Sequence, residues 1–293
     1  MTTIDVVVTP RFRRKARTSG TQRHLPTSSK IAGGIVVLLL LAAIFAPLLT
    51  SQSPTVGVLG ERLRGPGTTG HLLGTDGQGR DILARLLYGA RPSLLTGMIP
   101  VAIAGLLGTA FGLIAGLGKP LLHSFVMRFL DVFYAFPAVL LAIAIAAALG
   151  SGSSNAIIAL SVILIPPVAR VAEAETGRLR NADFMEAARA SGSSWFALAY
   201  RQVLPNIAPA VVVYCTALIG LSIVYSAGLS YLGLGIAPPA AEWGLMISDL
   251  QQYMFTTPAL LIAPALAIVI ASVAFNVLGD GLGQYLNVRS ETA

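Results

Sequence analysis

Two groups of side chains in this 293-residue chain are arranged to hold a solute or a partner. In the first, Ser222, Ser226 and Ser230 recur every fourth residue inside an apolar run, with Tyr225 beside them. Four-residue spacing puts the hydroxyls on one face of a helix. A polar group in an apolar run either bonds back to its own helix or lines a polar passage. The second group lies in a polar stretch between apolar runs, residues 175–209, with Glu186-Ala187-Ala188, Gly192 and Leu204-Pro205. Its chemistry is docking. Two adjacent alanines leave little side chain in the way of a partner, while Phe184, Met185, Trp195 and Phe196 are apolar anchors of the sort that fill a groove. An amphipathic helix held only by lipid headgroups has the same pattern.

Covalent chemistry finds few candidates. A hydrolase inside a membrane needs a nucleophile with a His or Asp partner at matched depth, and His24, His71 and His123 all lie outside the apolar runs. Cys215 is the one cysteine, so no disulfide and no Cys-based metal site forms within the chain. Gly74, Gly77 and Gly79 cluster, but without the Gly-Lys-Ser/Thr ending of a phosphate loop and with no strand before them. They read as turn residues, followed by Asp81 capping a helix over 82–88 with an apolar face of Ile82, Leu83, Leu86 and Leu87. No nucleotide site is evident.

The elements that must position these groups follow from composition. The chain is 55% hydrophobic and 11% charged, with a mean hydropathy of +0.75. That is too little charge for a soluble surface. Several apolar runs approach or exceed the roughly 20 residues that cross a bilayer core about 30 Å thick. Backbone groups in lipid must be satisfied internally, so the runs are helices and the fold is all-α and polytopic. Six spans are predicted, at 31–49, 93–117, 125–149, 156–171, 207–235 and 258–282. Pro166 and Pro167 predict a kink or an end in the fourth. In the second, Ala104, Gly108, Gly112 and Gly116 form a small-residue stripe for close helix packing. Arg128 and Asp131, three apart, read as a local pair, and Asn276 and Asp280 as capping or interhelical groups.

The net charge of +7 belongs to membrane edges rather than to nucleic-acid binding. With the N-terminus inside, the leader 1–30, the segments 119–128 and 170–201 and the tail hold 15 of the 20 Lys and Arg. The loop 236–257 has Glu242 and Asp249 but no Lys or Arg, and is predicted outside. The segment 50–92 is mixed, with Arg62, Arg64, Arg80, Arg85 and Arg91 against Glu61, Asp76 and Asp81. Both termini are then cytoplasmic. The organisation is a basic segment 1–30, a transmembrane domain 31–285 and a tail 286–293. Within the loop, Asn181 or Asp183 can cap one short helix that Gly192 stops, and Ser193 or Ser194 can cap a second ending near Pro205.

Glu186-Ala187-Ala188, Gly192 and Leu204-Pro205 together resemble the EAA loop, here 176–206, of ABC importer permeases. Gln202 stands where that pattern often has isoleucine. The outer stretch His71-Leu72-Leu73-Gly74-Thr75-Asp76-Gly77-Gln78-Gly79-Arg80-Asp81 narrows the resemblance. So do Leu229-Ser230-Tyr231-Leu232-Gly233-Leu234-Gly235 and Phe275-Asn276-Val277-Leu278-Gly279-Asp280-Gly281-Leu282. These are similar to the C-type permease subunit of dipeptide/oligopeptide and nickel importers, from about residue 30 to the end. The resemblance implies a type I importer permease fold in a bacterial inner membrane. It implies a second permease, two ATP-binding subunits that hold ATP and Mg, and an external solute-binding protein, with no cofactor in this chain. Glu186, Ala187, Ala188, Gly192, Leu204 and Pro205 would couple to the ATPase, and Ser222, Tyr225, Ser226 and Ser230 would line the path. Many members carry a carboxylate where this chain has Ser226, which implies a less acidic passage here. Import of nickel or another small solute remains open, as does an ion-coupled carrier, although the latter wants ionisable groups at mid-membrane.

Overall fold

The computed structural model describes residues 25–287. The leader up to residue 24, the residues after 287 and Arg289 of the charge argument lie outside the described residues. Within them, ten helices follow in order, without a named strand among the described residues. They are α1 (Thr27–Leu49), α2 (Ile82–Leu117), α3 (Pro120–Tyr134), α4 (Ala138–Leu149), α5 (Ser153–Leu179), α6 (Asp183–Ala190), α7 (Trp195–Ala197), α8 (Leu204–Tyr231), α9 (Trp243–Leu250) and α10 (Ala259–Asn287). Five helical runs are long and apolar enough to cross a membrane, and α3 with α4 makes a sixth if that bent pair is counted as one span.

Three expectations about helix ends need correcting. The predicted helix 82–88 and the second span are one 36-residue helix, α2, which runs through Pro92 and Pro100. A single missing donor does not end a helix whose flanks are both packed. The same holds for α5, which continues through Pro166 and Pro167 to Leu179. There the small-residue stripe of α2 clamps it: a Cβ at Gly108 would stand 2.8 Å from Val168 Cβ, and one at Gly112 2.5 Å from Ala172 Cβ. Backbones this close hold each other where proline has removed a bond. The third span, predicted continuous, breaks at 135–137, with α3 and α4 inclined at 84°. Pro137 is the cause, since a residue before proline is pushed out of the helical region.

The core divides into a small cluster of Ala115, Val126, Leu130 and Ala169, which packs α3 on α2 and α5, and two larger parts that share α2 and α8. One holds Leu160, Leu164, Met185, Val203 and Ile207, and joins α2, α4, α5 and α8 to the polar loop. The other holds Ala43, Ile82, Trp243, Met246 and Phe275, and joins α1 and α10 to the short helix α9. Arg91 ties α1 to α2 by donating from Nη2 to the Ile44 carbonyl at 2.6 Å and from Nε to the Ala43 carbonyl. Pro47 has no N–H to give Ala43, so the arginine satisfies a carbonyl that its own helix leaves open.

Candidate functional site

The loop between α5 and α8 has the two-part form that its residues predict. Helix α6 ends in Gly192 at φ +78°, with Gly192 N–H donating to Arg189 at 3.0 Å and Ser193 N–H to Ala188 at 3.1 Å. This pair of bonds is the Schellman arrangement, which needs a residue at ease with positive φ. At the other end, the expected Asn181 or Asp183 cap is absent. Ala182 occupies the cap position with no side-chain bond, and Asp183 is the first helical residue. Ser194 caps α7 as predicted, accepting from Ala197 N at 3.3 Å. The second short helix does not stop near Pro205. It passes through a wide π turn, Leu198–Val203, into α8, so that Trp195–Tyr231 is one 37-residue run. Pro205 sits in the first turn of α8, directly after the wide turn.

Glu186 and Ala187 are exposed on α6, and Phe184, Trp195 and Phe196 are exposed beside them. Met185 is not an outward anchor: it is fully buried in the chain's own core and roots the loop there. Ala188 and Leu204 are half-covered by that core, while Pro205 is exposed.

The serine face of α8 is buried. Ser226 donates to Thr96 on α2 at 2.7 Å, and Ser230 lies under Gly235. Ser222 is fully buried, and its Oγ is the one such buried side-chain atom without a hydrogen-bond partner among the described residues. Tyr225 is half-buried beside them. The hydroxyls therefore form a seam between packed helices here, not an open wall. Asn276 bonds back to the Ser272 carbonyl at 2.8 Å, and its side chain fills the space that Gly220 leaves on α8. Arg128 and Asp131 do not pair; Asp131 takes Arg170 of α5, whose guanidinium carbon stands 4.3 Å above the Tyr134 ring. Residues three apart on a helix can meet, but Arg170 reaches Asp131 from the neighbouring helix against which α3 is packed.

Residues 55–81 fold against α9 through buried charges. Arg80 bonds Asp76 at 2.6 Å and Asp249 at 3.0 Å, and Arg85 bonds Asp249 at 3.1 Å. Two buried guanidinium groups thus share two carboxylates, which satisfies charges that would otherwise be prohibitive to bury. Glu242 caps α9 through Gly244 and Leu245 and accepts from Ser93 at 2.9 Å. His71 faces Asp81 through Nδ1 at 2.8 Å and Glu61 through Nε2 at 3.2 Å. The Asp81 hydrogen bond, helped by Glu61 and opposed by burial, raises the His71 pKa above its ordinary value. Sequence reasoning found Asp81 as a cap, and it does accept from Ala84 N at 2.7 Å. It did not find the partners of Arg80, Arg85 and His71: Asp249 comes from the distant α9, and Asp76, Asp81 and Glu61 meet them only as the segment folds on itself. Their only trace was the mixed charge of the outer segment.

Residues 108–291 match the family model described as "Binding-protein-dependent transport system inner membrane component". The chain belongs to this family. Its match takes in the C-terminal end of α2 and everything from α3 through the polar loop, α8 and α10. A curated relative, the glutathione transport system permease protein GsiD of Pectobacterium atrosepticum, is 38% identical over 92% of this chain and 89% of its own length. The dipeptide transport system permease protein DppC of Alkalihalophilus pseudofirmus is 38% identical over 88% of this chain and 84% of its own. GsiD of Salmonella typhimurium is 41% identical over 88% and 86%. Among solved structures, an inward-facing form of the MetNI methionine ABC transporter aligns at TM-score 0.58 and 20% identity, covering 72% of this chain and 98% of that one. An amino acid ABC transporter aligns at 0.51 and 17%, covering 68% and 92%. The fold is that of an importer permease, and the chain is a multi-pass membrane component of a binding-protein-dependent transport system.

Proposed function

We propose that this permease passes dipeptides or similarly short peptides into the cell. It would do so paired with a second permease, driven by two ATP-binding subunits that hold ATP and Mg and supplied by an external solute-binding protein. The observation that carries the reading is the relatives: near 40% identity over most of both chains joins this permease to ones named for dipeptide and glutathione transport. The loop supports it. Its helix α6 presents Glu186 and Ala187 outward, is rooted by Met185 and is stopped by Gly192, which suits a rigid peg for a partner's cleft. Beyond Gly192, α7 is continuous with α8 through the π turn, so an ATPase surface that bears on α7 moves a span directly. Ser222, Ser226 and Ser230 lie along the α2–α8 joint that a shift between outward and inward access would shear. The two accesses are populations that ATP biases through differential binding.

The test uses the assembled complex. Gly192→Val places a β-branched side chain at φ +78°, a strain of about 1–3 kcal/mol. Ala187→Trp adds bulk on the outward face. Both variants are expected to insert and to pair with the sister permease, while retaining less ATPase on co-purification and losing solute-stimulated hydrolysis. Wild-type ATPase retention and hydrolysis in both variants would reduce the loop to a connector. Uptake of a labelled dipeptide by cells lacking their own peptide importers tests the solute class.

A further inference from the structure

Pro100 cannot give α2 the N–H that would close a helical turn onto the Thr96 carbonyl. In a membrane helix a carbonyl freed in this way finds its donor on a neighbouring helix or in an ordered water. The neighbour here is α8, and three contacts fix how the two helices lie. Ser226 donates to the Thr96 hydroxyl at 2.7 Å, a Cβ on Gly97 would stand 2.4 Å from Ile223 Cγ1, and one on Gly105 would stand 3.3 Å from Cys215 Sγ. The helices are therefore antiparallel, and the same register sets Ser222 opposite residues 98–100. A helix carbonyl points toward the residue four ahead, so the Thr96 oxygen lies at the level of Ser222.

The Ser222 hydroxyl is fully buried and has no partner among the described residues. It does not turn back onto its own helix as Thr109, Ser161 and Thr216 do, each of which donates to the carbonyl four before it. A buried hydroxyl and a buried carbonyl are both destabilising when unpaired, and paired ones are the rule. Ser226 supplies a third group. Its one proton goes to Thr96, which leaves its oxygen able to accept. Side chains four apart on a helix stand about 5–6 Å from one another. That is too far for a direct bond, and it is the span of two hydrogen bonds of about 2.8 Å meeting at one water.

We propose that the α2–α8 joint is a binding site for a single buried water that bridges Ser222, Ser226 and the Thr96 carbonyl. Donors and acceptors balance. Ser222 gives its proton to the water oxygen, and the water gives its two protons to the Thr96 carbonyl and to Ser226. Three partners is the usual number for a water inside a protein. The four-residue serine spacing thereby carries the joint across the turn that Pro100 leaves open. The inference stands on the packing of the two helices and is independent of the solute class.

The experiment is a cryo-electron microscopy map of the assembled complex at a resolution that shows ordered waters. The expected result is density about 3 Å from Ser222 Oγ, Ser226 Oγ and the Thr96 carbonyl oxygen. Three results overturn the site: no density there where waters are resolved at equal local resolution elsewhere in the spans, Ser222 Oγ turned onto the Leu218 carbonyl, or Ser222 bonded directly to Thr96. Thermal unfolding of the same complex gives a second measurement. Pro100→Ala returns an N–H to the Thr96 carbonyl and so takes one partner from the water. Ser222→Ala is expected to lower the unfolding temperature by several degrees in the wild-type background and by less than half as much beside Pro100→Ala. Equal shifts in the two backgrounds, or a wild-type background that Ser222→Ala leaves unchanged or stabilises, overturn the proposal.

Discussion

Gly112→Ala adds a single methyl where α2 and α5 pack backbone to backbone. The new Cβ would lie 2.5 Å from Ala172 Cβ, 2.7 Å from the Ala169 carbonyl oxygen and 2.8 Å from Glu173 N. Real side chains do not approach so closely, and none of the three atoms belongs to a rotatable side-chain end, so α2 and α5 must move apart. Overpacking of this kind costs about 1–3 kcal/mol. The gain in helix propensity from Gly to Ala, up to about 1 kcal/mol, offsets only part of it. Gly34→Ala in α1 is the matched control, because nothing lies within 4 Å of its Cβ. The assay is thermal unfolding of the purified permease in detergent, followed by fluorescence of Trp195 and Trp243 and by loss of monodisperse protein. Gly112→Ala is expected to unfold several degrees earlier than wild type, and Gly34→Ala at or above it. If the two variants unfold at the same temperature as wild type, the close α2–α5 approach does not hold the protein together.

Two further outcomes follow from the outer side and the topology. The His71 pKa is raised by Asp81 and Glu61, so the stability it contributes is complete below its ordinary value of about 6.5 and is lost as pH rises through the raised folded value. Trypsin cleavage at the exposed Arg62 and Arg64 should therefore accelerate with pH more steeply in wild type than in His71→Gln; parallel pH profiles would show that the contact does not hold the segment. The Lys and Arg asymmetry puts the α9–α10 loop outside and α6 inside, so an impermeant thiol reagent on intact cells should label Thr256→Cys but not Ser191→Cys, each in a Cys215→Ser background, and the reverse pattern would invert the topology.

What the residues made legible depended on the range of the forces involved. Spans follow from the thickness of the apolar phase, which acts on every residue of a run, so each of the six apolar runs is mostly helix, the third in two pieces. The Gly192 stop and the Asp81 and Ser194 caps are local, decided within a few residues, and they too were readable. Proline was the hard residue. It broke the third span at Pro137 yet left α2 and α5 whole, and the difference lies in the neighbour. A glycine stripe braces α5 against α2 along the proline pair, while the break at Pro137 lies exposed on the chain. The pairs Asp131–Arg170, Arg80–Asp249 and Arg85–Asp249 were not readable, because their partners stand 39, 169 and 164 positions apart. The burial of the serine face was not readable either: spacing names a face, and only the packing says what covers it.

The wide turn Leu198–Val203 has a consequence for descent as well as for mechanics. A π turn holds one residue more than an α turn within the same full rotation, so the extra residue bulges out and the helix on either side keeps its phase. Loss of one codon there would close the turn to an ordinary one and leave Trp195 and Phe196 on the same side of the axis. The same loss elsewhere in the run would swing everything beyond it by about 100°, so the wide turn marks the one place in this run where length can change without changing which side chains face outward.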